Sequence, residues 1–261
     1  MSLLGLPNEL LLLIIEDLDS EKDILSVLLA SPRVYAIQQA DPLYKHNIRY
    51  SGSSALRWYS ANGRKSAVEA LLQKGANIEC KDYASNTPLS VAVCNGHEDI
   101  ARLLLEKGAD IKFKDSYGST PLTAAAHSGY ESIVKLLLEK GSDIESRDGY
   151  DWTPLAVAVF SGYENIVKLL LEKGSNIESE DNHGWTPLTV AVLSEYESIV
   201  KLLLEKGSNI ESEDGLGWTP LTYAAIQGNE NVIKLLLHNG ADPGRASLTF
   251  EQVAKLTRLL K

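Results

Sequence analysis

Cysteine is nearly absent: Cys80 and Cys94 are the two in a chain of 261 residues. They have no metal-type spacing and make no disulfide framework, which points to a reducing compartment, the cytoplasm or the nucleus. Long apolar runs are missing too. The unbroken run at residues 10–15 is flanked by Glu9, Glu16 and Asp17, and it falls far short of the ~18 residues that suggest a membrane span. The start of the chain lacks the basic region that opens a signal peptide. No membrane association is expected.

Positive charge is also in deficit, with 25 Lys and Arg against 35 Asp and Glu, a net charge of −10 and an isoelectric point near 5.0. Proteins that bind nucleic acid need a basic face to displace counterions, so no nucleic acid partner is expected. Catalytic groupings are lacking as well. His97-Glu98-Asp99-Ile100-Ala101 begins like a metalloprotease motif, but Ala101 stands where the second histidine is required. Gly215-Leu216-Gly217 runs into Trp218-Thr219-Pro220 rather than a phosphate-binding glycine pattern. The five histidines, His46, His97, His127, His183 and His238, are scattered. No serine or cysteine has a base placed beside it, and Cys94 reads as a small, semi-buried residue at a helix end. The expectation is a protein that is not an enzyme and holds no cofactor or metal.

What the chain does have is repetition. Thr-Pro-Leu begins at Thr87, Thr120, Thr153, Thr186 and Thr219, each 33 residues after the last. Glycines at Gly75, Gly108, Gly141, Gly174, Gly207 and Gly240 keep the same step. Two independent marks with one period indicate stacked units, none of which can bury its apolar face alone.

One unit can be read physically. Pro154 suits the first turn of a helix, where no N–H is needed and its φ is already set. Leu155, Val157 and Ala158 begin a short apolar helix, and Gly162 offers a left-handed end to it. Residues 164–173 read as a second helix with Ile166, Val167, Leu169 and Leu170 on its buried side and a Glu164–Lys168 pair in water. The polar, turn-rich stretch from Ser175 to Trp185 is the loop or hairpin that joins the next unit.

Asp-x-x-Gly-Trp-Thr-Pro-Leu, then Ala, then Gly-Tyr-Glu-x-Ile-Val-Lys-Leu-Leu-Leu-Glu-Lys-Gly, resembles the ankyrin repeat. The resemblance covers residues 52–245 as six units and implies an all-α solenoid of helix–loop–helix units with hairpin loops. The first unit departs most, with Ser54-Ala55-Leu56 in place of Thr-Pro-Leu. Past Gly240 the register fails, and residues 246–261 read as an amphipathic capping helix with Val253, Leu256 and Leu260 on one stripe.

The first 50 residues differ. Pro7, Asn8 and Glu9 open a helix that is apolar on nearly every side, and two further helical patterns follow at 23–29 and 32–39. The pattern Leu6-Pro7-x-Glu9-Leu10, Ile14, Leu18, Asp23-Ile24-Leu25, Val27, Ser31-x-Arg33, Tyr35, Pro42-Leu43-Tyr44 resembles an F-box, with Tyr35 and Tyr44 where that family usually has Trp. The resemblance implies a small three-helix F-box-like module over residues 3–46. It also implies docking through Leu6, Pro7, Leu10 and Ile14 on the Skp-type adaptor of a cullin–RING ubiquitin ligase. The alternative is that these helices cap the first repeat of a plain ankyrin scaffold.

In the ankyrin family the concave side, made by loop tips and the ends of first helices, usually binds the partner. In register, the residue before Thr-Pro-Leu is Asn86, Ser119, Trp152, Trp185 and Trp218. Tyr83, Tyr117, Tyr150, His183 and Leu216 decorate the tips. His127, Phe160, Leu193 and Ile226 lie near the ends of first helices, and Glu145, Asp148, Glu180, Asp181, Glu213 and Asp214 form an acidic rim. Aromatic and apolar groups within a polar rim have the make-up of a protein-binding surface. The expected whole is a monomeric substrate receptor whose substrate protein the sequence does not name.

Overall fold

The computed structural model describes residues 52–246, with side-chain surroundings from residue 55. The F-box-like stretch, with Leu6, Pro7, Leu10 and Ile14, and the cap expected over 247–261 lie outside the described residues. The chain divides into two compact units, Met1–Asp110 and Ile111–Lys261. In the first, the helices are α1 (Gly52–Ala61), α2 (Lys65–Gln73), α3 (Pro88–Cys94) and α4 (Glu98–Glu106). In the second they are α5 (Pro121–Ser128), α6 (Glu131–Glu139), α7 (Pro154–Phe160) and α8 (Glu164–Glu172), then α9 (Pro187–Leu193), α10 (Glu197–Glu205), α11 (Pro220–Gln227) and α12 (Glu230–His238). Every described element is helical. The hairpin loops are tight turns, with no strand among the described residues.

Each first helix from α3 on starts on a threonine. Thr153 Oγ1 accepts the Ala156 N–H and Pro154 occupies the first turn, an arrangement repeated at Thr87, Thr120, Thr186 and Thr219. Such a cap stabilises a helix start by about 1 kcal/mol. In the second unit the same hydroxyl also reaches the next repeat: Thr120 lies 3.1 Å from Ser146 Oγ, Thr153 3.1 Å from Ser179 Oγ and Thr186 3.2 Å from Ser212 Oγ. One side chain thus sets the helix start and ties it to its neighbour.

Both helices of each repeat supply the core, the first through residues such as Leu122, Leu155 and Leu188. Ile133, Val134, Leu136 and Leu137 of α6 are shut off from solvent, as are Ile166, Val167 and Leu170 of α8 and Ile199, Val200 and Leu203 of α10. Each large side chain of this kind contributes roughly 1.5–3 kcal/mol through burial. The second helices end on left-handed glycines. Gly141 has φ 87°, and the Ser142 N–H donates to the Leu137 carbonyl at 3.0 Å, closing the last turn.

A further tie runs between repeats through a glutamate. Glu145 accepts the Asn176 N–H at 2.9 Å, Glu178 the Asn209 N–H at 2.8 Å and Glu211 the Asp242 N–H at 2.7 Å. In the first unit Glu79 does the same for Asp110 at 2.7 Å. At this register the third repeat has Lys112, whose ammonium cannot accept.

The turn between the two helices of a repeat carries one exception. A Cβ on Gly129 would come within 2.5 Å of the Tyr163 ring, and one on Gly162 within 2.8 Å of the Tyr196 ring. Glu195 occupies this register with φ 59°, so the backbone keeps the left-handed form. The residue placed opposite it is Asn229, which is small enough to admit a side chain.

Candidate protein-binding face

An aspartate builds each loop tip. Asp148 Oδ1 accepts the N–H groups of Tyr150 and Trp152, both at 2.9 Å. Asp82, Asp115, Asp181 and Asp214 each hold their own loop in the same way. The residue three after each aspartate is left-handed: Ser85, Gly118, Asp151, Gly184 and Gly217. Neighbouring tips join where glycine lets the backbones approach, the Gly149 N–H donating to the Tyr117 carbonyl at 2.8 Å and the Gly215 N–H to the His183 carbonyl at 3.1 Å.

The three tryptophans of the second unit are half-buried, and two have committed their N–H groups inside the fold. Trp152 Nε1 donates to Asp181 Oδ2 at 2.8 Å, and its ring meets Phe160 edge-on at 5.0 Å. Trp185 Nε1 donates to Tyr223 Oη at 3.0 Å, and Tyr223 in turn donates to Asp214. Trp218 also packs against Tyr223, edge to face at 5.4 Å, and His183 stacks on Trp185 at 5.0 Å. The indole N–H groups of Trp152 and Trp185 are therefore spent on ties between repeats.

The Tyr223–Asp214 pair is tuned by its setting. Burial, with the hydrogen bond to Asp214, pushes the Tyr223 phenol up to about 12. Burial also pushes Asp214 upward, but hydrogen bonds from Tyr223, from the Trp218 and Leu216 N–H groups and from Trp185 outweigh it and hold the carboxyl below its usual range.

The groups left facing solvent are the tip residues and the ends of first helices. Tyr117, Tyr150 and Leu216 are each about two-thirds exposed or more, and Phe160 and Ile226 are half exposed, at 50% and 49%. His183 is exposed, as is His127, whose Nδ1 lies 3.1 Å from Ser161 Oγ of the next repeat. Leu193 is half-buried, its carbonyl accepting from Gln227 at 2.9 Å.

Several expectations are corrected. The acidic rim is largely engaged in structural ties: Asp181 is buried, Asp148 and Asp214 hold loops, Glu145 is an inter-repeat tie and Glu213 is paired with Arg245 at 2.8 Å, while Glu180 stays exposed. In the first unit, Asn86 uses its amide on Asp82 Oδ2 at 2.9 Å. Tyr83 is fully exposed but sits one residue before the register of Tyr117, which belongs to Ala84. Cys94 is exposed rather than semi-buried. His97 of the incomplete protease motif has a structural use, covering Gly63 with Nε2 3.0 Å from the Ala61 carbonyl. The roles that sequence reasoning missed, those of Asp181 and Tyr223, join residues 29 and 38 positions apart, distances outside any local pattern.

Among the described residues no group of three or more His, Cys, Asp or Glu is arranged to hold a metal ion, and no helix is long and apolar enough to cross a membrane. An open cleft in the second unit is lined by residues of both signs, Lys112, Lys114, Asp143, Glu145 and Arg147. Lys114 and Arg147 there donate to the carbonyls of Arg147 and Glu180, so the cleft presents ties between loops.

A family model described as "Ankyrin repeats (3 copies)" matches at residues 18–115, 56–148, 112–181, 146–214 and 174–247. The crystal structure of the human ASB11 ankyrin repeat domain is 34% identical, with a TM-score of 0.66 over 72% of this chain and 84% of that one. Matches to solved structures are widespread, 630 chains in all, so the fold does not by itself choose a partner. No curated protein matches the chain. Repeat period, paired helices and these matches agree that the chain belongs to the ankyrin-repeat family, whose members are typically protein-interaction modules rather than enzymes.

Proposed function

We propose that the protein is a substrate receptor of a cullin–RING ubiquitin ligase. Its N-terminal segment docks on a Skp-type adaptor, and the tip-and-first-helix face of the array captures the substrate protein. The observation that carries the capture half is the exposed series Tyr150, Phe160, Leu216 and Ile226, with Phe160 packed against the half-buried Trp152. Apolar and aromatic groups held on a rigid floor make strong interface anchors, because little side-chain freedom is lost when they bind. The docking half is supported by the F-box-like pattern of Leu6, Pro7, Leu10 and Ile14. A protein working this way operates in the cytoplasm or nucleus.

The test is a binding assay between the intact chain and purified Skp-type adaptor. Leu10→Asp combined with Pro7→Ala should abolish adaptor binding while the helical signal is retained. Undiminished binding by that variant sinks the docking half.

A second reading has its own support. The first family match starts at residue 18, inside the F-box-like stretch. On that reading the N-terminal segment extends the array and the protein is a scaffold with no ligase role. It predicts that removing residues 1–46 lowers the thermal stability of the repeats, whereas the receptor reading predicts repeats that melt as before.

A further inference from the structure

Charge is distributed unevenly along the loops of the second unit. The early loops contain Lys112, Lys114 and Arg147. Between Lys173 and Lys201 there is no Lys or Arg, and between Lys206 and Lys234 there is again none. Those two spans include the tips and first helices of the repeats containing Trp185 and Trp218. Their carboxylates include Glu180 in the tip loop before α9, whose carbonyl accepts from Arg147 of the preceding loop, and Glu195 in the turn after α9, both exposed. Behind the indoles, Asp181 and Asp214 add negative charge in a poorly solvated setting, where its field on the surface is felt more strongly.

Spacing adds a second constraint. Phe160, Leu193 and Ile226 share one register on α7, α9 and α11. Packed helices lie about 8–10 Å apart. An extended polyproline-type strand advances roughly 9.3 Å in three residues at about 3.1 Å each. One side chain in every three then meets one repeat, and the side chains between them point towards the two edges.

We infer that this face takes an extended, positively charged segment of a partner protein, with an apolar side chain at every third residue and Lys or Arg between. The apolar groups sit against Phe160, Leu193 and Ile226. The cations reach Glu180 and Glu195 and meet the solvent-facing parts of the half-buried indoles, which attract Lys and Arg. This inference rests on the reading of the face as the capture surface and names the chemistry that the face selects.

The experiment uses the intact chain and three fluorescein-labelled peptides of about ten residues, enough to span three repeats at about 3.1 Å per residue. One has Leu at every third position with Lys between, one has the same Leu with Glu between, and one has Lys with Ser in place of Leu. Anisotropy should show binding of the first alone. Its affinity should drop at least about tenfold when salt rises from about 0.05 M to about 1 M, where the screening length shrinks to roughly 3 Å. Phe160→Ala with Ile226→Ala should weaken it about tenfold, and Glu180→Lys with Glu195→Lys should weaken it and flatten the salt dependence. Equal binding of the Glu peptide overturns the positive partner while leaving the capture face standing. Equal binding of the Ser peptide reduces the effect to general charge attraction and also overturns the inference. No binding by any of the three overturns it outright, and adaptor binding by the same protein reports separately on the ligase reading.

Discussion

The second helices and the tip face of this array follow opposite rules. Glu-Ser-Ile-Val-Lys-Leu-Leu-Leu-Glu occurs identically in α6 and α10, and α8 differs from it by one residue. At the ends of the first helices, by contrast, one register reads Cys94, His127, Phe160, Leu193 and Ile226. The copied segment carries the side chains that neighbouring repeats bury against each other, Ile133, Val134 and Leu137 in α6 among them. The varied register is more exposed, with His127 exposed and Phe160 and Ile226 half exposed, so packing constrains it less. Variation among the repeats of a single chain therefore supports the proposed capture face without reference to any other protein.

The largest effect expected from breaking this contrast is in the copied part. Leu170 is fully buried in α8, and Leu170→Ala should destabilise the protein by about 2–5 kcal/mol. Phe160→Ala, on the face, should cost well under half of that in the same urea titration. Equal losses would erase the distinction between core and face.

Next comes the aspartate beneath the tryptophans. Asp181→Asn can still accept the two backbone N–H groups, but its amide then confronts the Trp152 indole donor, so a loss of about 1–3 kcal/mol is expected. Thermal unfolding monitored by tryptophan fluorescence would show it. An unchanged melting temperature would mean that the Trp152–Asp181 bond contributes nothing.

Tyr223→Phe removes the hydroxyl that links Trp185 to Asp214, with an expected cost of about 1–2 kcal/mol at neutral pH. The pH profile is more specific. The folded phenol titrates at about 12, above its unfolded value near 10. Between those values the folded state binds the extra proton, so this contribution is intact below about pH 10 and is lost as pH rises towards 12. Tyr223→Phe should flatten that alkaline decline, and an unaltered slope would remove Tyr223 from it.

The smallest effect is at the exception. Glu195→Gly relieves a left-handed residue and should stabilise by up to about 1 kcal/mol. Asn229→Tyr alone should destabilise, since the ring meets the Glu195 side chain, while the double variant should recover. Additive behaviour of the pair in denaturant unfolding would show that positions 195 and 229 do not constrain each other.

Much of the fold was legible because the period carried it. Pro154 and Gly174 mark a helix start and a helix end through local backbone chemistry alone. The exposure of Phe160 and Ile226 also followed from the register. Less legible was how the tryptophans use their polar atoms. A residue before Thr-Pro-Leu looks exposed until Asp181, in the following repeat, is found to accept its N–H. The acidic rim misled for the same reason, since a carboxylate that holds its own loop cannot be distinguished in sequence from one that faces water. Tyr83 shows a subtler limit, because one residue of slip within a loop moves a side chain without disturbing the period.

The glutamate ties have a consequence for the growth of such a protein. Gly174-Ser175-Asn176-Ile177-Glu178-Ser179-Glu180-Asp181 recurs unchanged 33 residues later, from Gly207 to Asp214. Each copy brings both halves of the joint, a glutamate to accept from the repeat after it and a backbone N–H to offer the repeat before it. An unequal crossover between these two stretches of coding sequence would add or remove one whole repeat and leave every joint matched. The array can thus change in length by recombination without a new interface having to be invented, and with each added repeat the tip face becomes about one helix spacing longer.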